Sequence, residues 1–361
     1  MRKTVKKTIL SAKPYVPGKP IEEVQREYKI KDIIKLASNE NSYGPSKMVL
    51  DAMKKASLSV NRYPDGGCFY LRKAVAKHLK VKEDQLIFGN GSDEIIILVI
   101  RSFVNAGDEV IIADPSFLVY EIASKIEGAK VKAVKLKDFK YDVKQIKNAV
   151  TKKTKIIFLG NPDNPSGACL NKKELDFLLR SVRRDILVFL DEAYFEYVKS
   201  ADYPDSIVLL KKNKNVIVTR TFSKLYGLAG LRIGYGIANS ELIGLLNRIR
   251  EPFNINSIAQ AASIAVLKDK KYYGKILKEI ECQRKFLYKN LKRLNLSFIE
   301  TPTNFIPIDT KQDSSLVVEK LLKKGVIVRD MKFWKMKGFI RVSIGKEKEN
   351  RRFIKSLEEI L

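Results

Sequence analysis

Three apolar runs in this chain end in residues that can do chemistry. KIIFLG at 155 runs into NPDNPSG (Asn161 to Gly167), ILVFLD at 186 ends in DEAY (Asp191 to Tyr194), and VIVT at 216 leads to RTFSKLYGLAGLRIG (Arg220 to Gly234). An amide (Asn164), a carboxylate (Asp191), a phenol (Tyr194), a lysine (Lys224) and a guanidinium (Arg232) therefore follow successive strand-like segments. Singly, each has an ordinary reading as an Asn-Pro turn, a helix-capping carboxylate or a surface cation.

Together they meet the needs of one cofactor, pyridoxal phosphate. That group requires a lysine for a Schiff base, a carboxylate to keep the pyridine nitrogen protonated, donors to the ring 3′-oxygen, and a phosphate cradle. Lys224 supplies the first and Asp191 the second. Asn164 and Tyr194 suit the 3′-oxygen. Thr221, Ser223 and Arg232 stand at minus three, minus one and plus eight from the lysine, where hydroxyls and a guanidinium can hold a phosphate dianion. GNGSDE at 89 to 94 is either an anion-binding turn using the N–H groups of Ser92, Asp93 and Glu94 or an ordinary cap at Ser92 or Asp93. As a dinucleotide fingerprint it fails, because Glu94 occupies the third glycine position. Phe117 in DPSFLVY either stacks on the pyridine ring or belongs to the core.

The elements that must position these residues are legible between about residues 86 and 237. Short β-branched runs alternate there with helical patterns such as EIIILVIRSFV and KELDFLLRSVRR. This is the signature of an α/β fold with a mostly parallel, doubly wound sheet, whose ligands bind beyond the carboxyl ends of the strands. After about residue 240 longer helices and the short strands TNFIPI, VIVRD and FIRVSI predict a smaller α+β domain. The expected division is an N-terminal arm over 1–35, a large domain over 36–250 and a small C-terminal domain over 251–361.

Composition narrows the field. The 361 residues are 45% hydrophobic, enough for a sizeable core. No apolar run approaches the length of a membrane span, and the basic N-terminus lacks a secretory pattern, so a cytoplasmic protein is expected. Cys68, Cys169 and Cys282 form no CxxC motif and read as bystanders. The single histidine, His78, lies in a helical stretch and leaves no multi-histidine metal site or serine triad, so no metal is expected. The net charge of +28 is spread over nearly every helix and reads as a solvated surface rather than a nucleic-acid or membrane face.

On these residues the chain resembles the fold-type I, aspartate-aminotransferase-like family of pyridoxal phosphate enzymes, and more closely its histidinol-phosphate aminotransferase branch. The resemblance is carried by TFSKLYGLAGLRIGY, NPDNPSG and DEAY, and by PYVPGKPIEEVQRE at 14, KLASNENSYGPS at 35, NRYPDGG at 61, GNGSDEII at 89 and GVIVRDM with FIRVSIGKEKEN near the C-terminus. It implies that Lys224 forms the Schiff base, that Asp191 pairs with the ring nitrogen, and that Asn164 and Tyr194 bind the 3′-oxygen, Lys224, Asp191 and Tyr194 being the catalytic set. It implies a phosphate held by Arg232, Thr221, Ser223 and the turn at 92 to 94, with Tyr63 contributed by a second subunit of a homodimer. Arg341 would grip the substrate's anionic end with Asn164 nearby, while Arg329 and a Tyr15 from the second copy would contact a substrate phosphate. The implied reaction is transamination of L-histidinol phosphate with 2-oxoglutarate. An aromatic or broad-specificity aminotransferase and a threonine-phosphate decarboxylase share the apparatus, and a basic nucleic-acid-binding protein is the alternative from another class. The chain departs from the family pattern at Asp163 and Ser166, and at RDMKFWKMKG, which places the sole tryptophan, Trp334, between the two arginines.

Overall fold

The computed structural model describes residues 4–12, 14 and 17–361. Its centre is a seven-stranded sheet of β1 (Leu86–Gly89), β2 (Glu109–Asp114), β3 (Lys130–Lys135), β4 (Thr154–Gly160), β5 (Leu187–Asp191), β6 (Val216–Thr221) and β7 (Gly234–Ile237), in the order β1-β7-β6-β5-β4-β2-β3. The pairs β2·β3, β2·β4, β4·β5 and β5·β6 are parallel; β7 alone runs against its neighbours β6 and β1. Valine, isoleucine, leucine and phenylalanine fill β4, β5 and β6, which are buried almost throughout, as strands covered by helices on both faces must be. The outer strand β3 instead alternates lysines with apolar residues, and Lys130 and Lys135 face solvent along an edge that would otherwise invite pairing.

A second sheet, antiparallel, comprises β8 (Ser297–Phe298), β9 (Phe305–Asp309), β10 (Arg329–Asp330) and β11 (Phe339–Ser343) in the order β10-β11-β9-β8. Two contacts join parts of the chain that are distant in sequence. Ile34–Lys35 pairs in parallel with Val326–Ile327, and Val24 and Ala37 share a small core with Leu322 and Ile327. Residues 21–37 thus pack on the C-terminal domain. Helix Ser257–Lys268, in turn, lies on helices Lys47–Ser57 and Phe69–Leu79 of the large domain. Both contacts bury apolar faces whose partners are distant in sequence.

Beneath the carboxyl ends of the central strands sits a buried ion pair. Arg220 Nε lies 2.9 Å from Glu192 Oε2, which also accepts a 3.0 Å hydrogen bond from Ser206, and the guanidinium stacks on Phe195 at 3.6 Å. Burial pushes the Glu192 carboxyl up from its ordinary value, and Glu192 in turn keeps Arg220 charged. Removing one partner strands the other charge in the interior. Arg220→Met should therefore cost about 3–5 kcal/mol of unfolding free energy, read as a lower midpoint in urea unfolding.

Candidate functional site

The carboxyl ends of β4, β5 and β6 and the start of helix α1 (Ser92–Phe103) open into one cavity of about 380 Å³. Ser92, Asp93, Phe117, Asn164, Asp191, Tyr194, Thr221, Ser223, Lys224, Arg232, Arg329 and Arg341 all line it. Parallel pairing explains the first convergence: Gly160, Asp191 and Thr219 stand side by side in register, so the segments that follow leave the sheet at one edge. The reversal at β7 explains the second. Thr221 pairs with Gly234, and the intervening loop brings Arg232, at φ 53°, back beside the start of α1.

Asp191 forms the cavity floor. Its Oδ2 accepts a 2.7 Å hydrogen bond from the Tyr120 hydroxyl and its Oδ1 a 3.1 Å bond from the Ala193 N–H. Tyr120 stacks on Phe158 at 4.7 Å, and Phe117 meets Tyr120 edge-on. Burial in this aromatic wall lifts Asp191 to about 6, and burial together with the Asp191 carboxylate keeps Tyr120 protonated as a donor. Lys224 Nζ lies 3.3 Å from the Ser38 carbonyl and 5.7 Å from the centre of the Tyr194 ring. The Tyr194 hydroxyl accepts from Asn39 Nδ2 at 2.9 Å, which leaves its own proton to donate into the cavity.

At the other end, α1 begins without a side-chain cap, so Ser92 and Asp93 do not act as one, and Arg232 Nη2 lies 3.1 Å from Asp93 Oδ2. Gly91 has φ 80°, and a Cβ there would come 2.5 Å from Arg232 Nη2; a Cβ on Gly234 would come 2.7 Å from the Ser92 nitrogen. These glycines let a guanidinium, the first amides of a helix and the hydroxyls of Thr221 and Ser223 approach one point, which is an anion cradle. The cradle, the buried carboxylate and the lysine between them fit the phosphate, ring nitrogen and carbonyl carbon of pyridoxal phosphate.

Two anticipated residues stand apart from the cavity lining, and a third is not among the described residues. Glu94 does not line the cavity; its carboxylate accepts hydrogen bonds from the Asn90 N–H and from Asn254, leaving only its backbone toward the helix start. Tyr63 is 83% exposed and stacks on Phe253 outside the cavity. Tyr15 lies outside the described residues. His78 is exposed on helix Phe69–Leu79, away from the site. The residues that sequence reading missed are Tyr120, Asn39, Ser38 and Trp334's place in the wall. Tyr120 follows Phe117 by three residues and could have been inferred from helical spacing; the contacts of Asn39 and Ser38 carry no local signal.

The small domain supplies the opposite wall. Arg329 and Arg341 are directly opposite partners on β10 and β11, and both are buried. Arg341 donates to Asn164 Oδ1, and at 3.0 Å to the Ala37 carbonyl.

Comparison with known proteins gives a consistent family picture. Residues 31–357 match the model of class I and II aminotransferases. A histidinol-phosphate aminotransferase of Moorella thermoacetica is 47% identical, over 99% of this chain and 92% of its own, and histidinol-phosphate aminotransferase 2 of Carboxydothermus hydrogenoformans is 44% identical over 99% of both. The crystal structure of a Sinorhizobium meliloti histidinol-phosphate aminotransferase in complex with pyridoxal-5′-phosphate superposes with a TM-score of 0.90 at 26% identity, covering 99% of this chain and 98% of that one.

Asp191 and Asp163, the latter also buried and near 6, have folded values above their ordinary 3.8 because burial disfavours the charged form. The folded state then holds more protons than the unfolded chain between about pH 4 and 6, so stability falls as pH rises across that window. In thermal melts of the cofactor-free protein, Asp191→Asn should flatten that fall.

Proposed function

The chain belongs to the class I and II aminotransferase family, and from that membership we propose that its amino donor is L-histidinol phosphate, with 2-oxoglutarate as acceptor and imidazole-acetol phosphate and L-glutamate as products. It is a pyridoxal phosphate-dependent aminotransferase. The observation that carries the substrate is the buried pair Arg329 and Arg341, facing each other across two strands at the cavity wall. Like charges directly opposite on a sheet repel, and burial adds to the cost. An anionic substrate group offsets it, and two planar forks of donors suit a phosphate, or the carboxylates of L-glutamate in the return half-reaction.

When bound, pyridoxal phosphate supplies a carbonyl for the amine and a ring that takes up the electron pair of the substrate α-carbon. Lys224 would anchor the carbonyl carbon and, when free of it, would be the base that holds and moves a proton beside the substrate α-carbon. Asp191 would keep a proton on the ring nitrogen. Asn164 and Tyr194 direct hydrogen bonds at the 3′-oxygen, Tyr194 oriented by Asn39. Phe117, edge-on to Tyr120 in the cavity lining, would offer its ring to the pyridine ring. Ser92, Asp93, Thr221, Ser223 and Arg232 hold the phosphate, with the Glu94 backbone N–H completing the helix start.

We further place a second copy of the chain on the apolar surface carrying Leu58, Val60, Tyr63 and Tyr70, which are 82%, 62%, 83% and 74% exposed. Four large apolar or aromatic side chains exposed within thirteen consecutive residues favour an interface there. There Tyr63 would enter the partner's site. Leu58→Asp combined with Tyr63→Asp should shift the sedimentation coefficient from dimer to monomer and abolish turnover.

Absorbance spectroscopy tests the reaction. L-Histidinol phosphate without keto acid should convert the lysine-bound cofactor band to the pyridoxamine form, and Lys224→Ala should lose turnover while retaining noncovalent cofactor. A band indifferent to histidinol phosphate but responsive to aromatic amino acids would move the substrate to the broad-specificity reading, and release of carbon dioxide from L-threonine phosphate would make the protein a decarboxylase.

A further inference from the structure

We propose that Trp334 is a positioning residue that fixes the separation of Arg329 and Arg341 and so sets how tightly the site binds its anionic substrates. The inference rests on the aminotransferase reading and adds to it a residue that touches neither the lysine nor the cofactor phosphate.

Trp334 is the only tryptophan of the chain, is buried, and lines the cavity. The guanidinium carbon of Arg329 lies 5.3 Å from its ring centre and that of Arg341 5.5 Å, so one indole engages both cations. Cation–π attraction to tryptophan is the strongest of the aromatic set, and it grows when the pair is desolvated. Here it counters the repulsion between two arginines that the strand register places opposite each other.

The indole is itself fixed from the other side of the cavity. Its Nε1–H donates 2.9 Å to the Ser116 carbonyl. The Ser116 hydroxyl donates 2.7 Å to Asp163 Oδ1, and Asp163 Oδ2 accepts from the Ser166 hydroxyl at 2.7 Å. Asp163 adjoins Asn164, whose side chain accepts from Arg341, which returns to the face of Trp334. The circuit closes through both domains. Asp163 completes it, held in place by Ser166. Ser116 also precedes Phe117, so the arginine wall and the ring-covering aromatic hang from one segment.

The test uses holoenzyme of Trp334→Phe, which keeps a ring but loses the Ser116 bond, and Trp334→Ala, which loses both. In the single-turnover half-reactions with L-histidinol phosphate and with L-glutamate, Trp334→Ala should raise the apparent substrate constant about tenfold, with the saturating rate within about twofold and the cofactor band unchanged. Trp334→Phe should fall between it and the parent. A variant that merely folds less well loses active sites and lowers the amplitude of the half-reaction at constant affinity and saturating rate; that pattern, or unchanged constants for both substrates, overturns the proposal. In the parent enzyme, inorganic phosphate should shift the emission of this single tryptophan over the concentration range in which it inhibits; emission unmoved through that range also overturns it. Failure of the parent to use L-histidinol phosphate would instead reject the substrate reading, while the glutamate half-reaction still decides the role of Trp334.

Discussion

The buried carboxyl group of Asp191 is the constraint around which this molecule is arranged. It ends the middle strand of a parallel sheet, receives hydrogen bonds from Tyr120 and the Ala193 amide, and lies against a stack of aromatic rings. A charge there is unfavourable without a cation, which is why burial lifts the group to about 6. A protonated heterocyclic nitrogen relieves that penalty in a way water cannot. The remaining parts are placed relative to it: Lys224 follows the adjacent strand, the anion cradle lies where β7 folds back, and the phenol of Tyr194 stands three residues beyond.

The same logic recurs across the cavity with the opposite sign. Two arginines are buried face to face on β10 and β11. Arg341 donates to a carbonyl and to an amide oxygen, and the indole of Trp334 lies against both guanidiniums. Cationic side chains thus line one end of the cavity and a buried carboxyl group the other. The large surplus of lysine elsewhere takes no part: it lies on outward helix faces and along the edge strand β3.

The sequence by itself determined the fold class and pointed to the strand ends that line the cavity. Short β-branched runs between helical segments point to a parallel sheet, and KIIFLG, ILVFLD and VIVT are the strands Thr154–Gly160, Leu187–Asp191 and Val216–Thr221. In RTFSKLYGLAGLRIG the next strand begins only at Gly234, since Ala229–Leu231 forms a tight turn and Arg232 takes a left-handed conformation. Lys224, Asp191, Asn164 and Tyr194 were legible because each follows a strand directly, and strand ends of one parallel sheet meet at one edge.

What only the tertiary structure decided is everything that depends on register or on chain distant in sequence. Nothing local to Tyr120 says that its hydroxyl reaches Asp191, 71 residues away, nor that Asn39 orients Tyr194 across 155. The packing of residues 21–37 on the small domain, and of Ser257–Lys268 on the large one, follows from apolar faces finding complementary surfaces. Trp334 is visible in the sequence as an oddity between two arginines. That it touches both, and is tied back to the cofactor side through Ser116 and Asp163, is settled by the pairing of β10 with β11 and the docking of that sheet over the cavity, because contact is a property of packed surfaces and not of spacing along the chain.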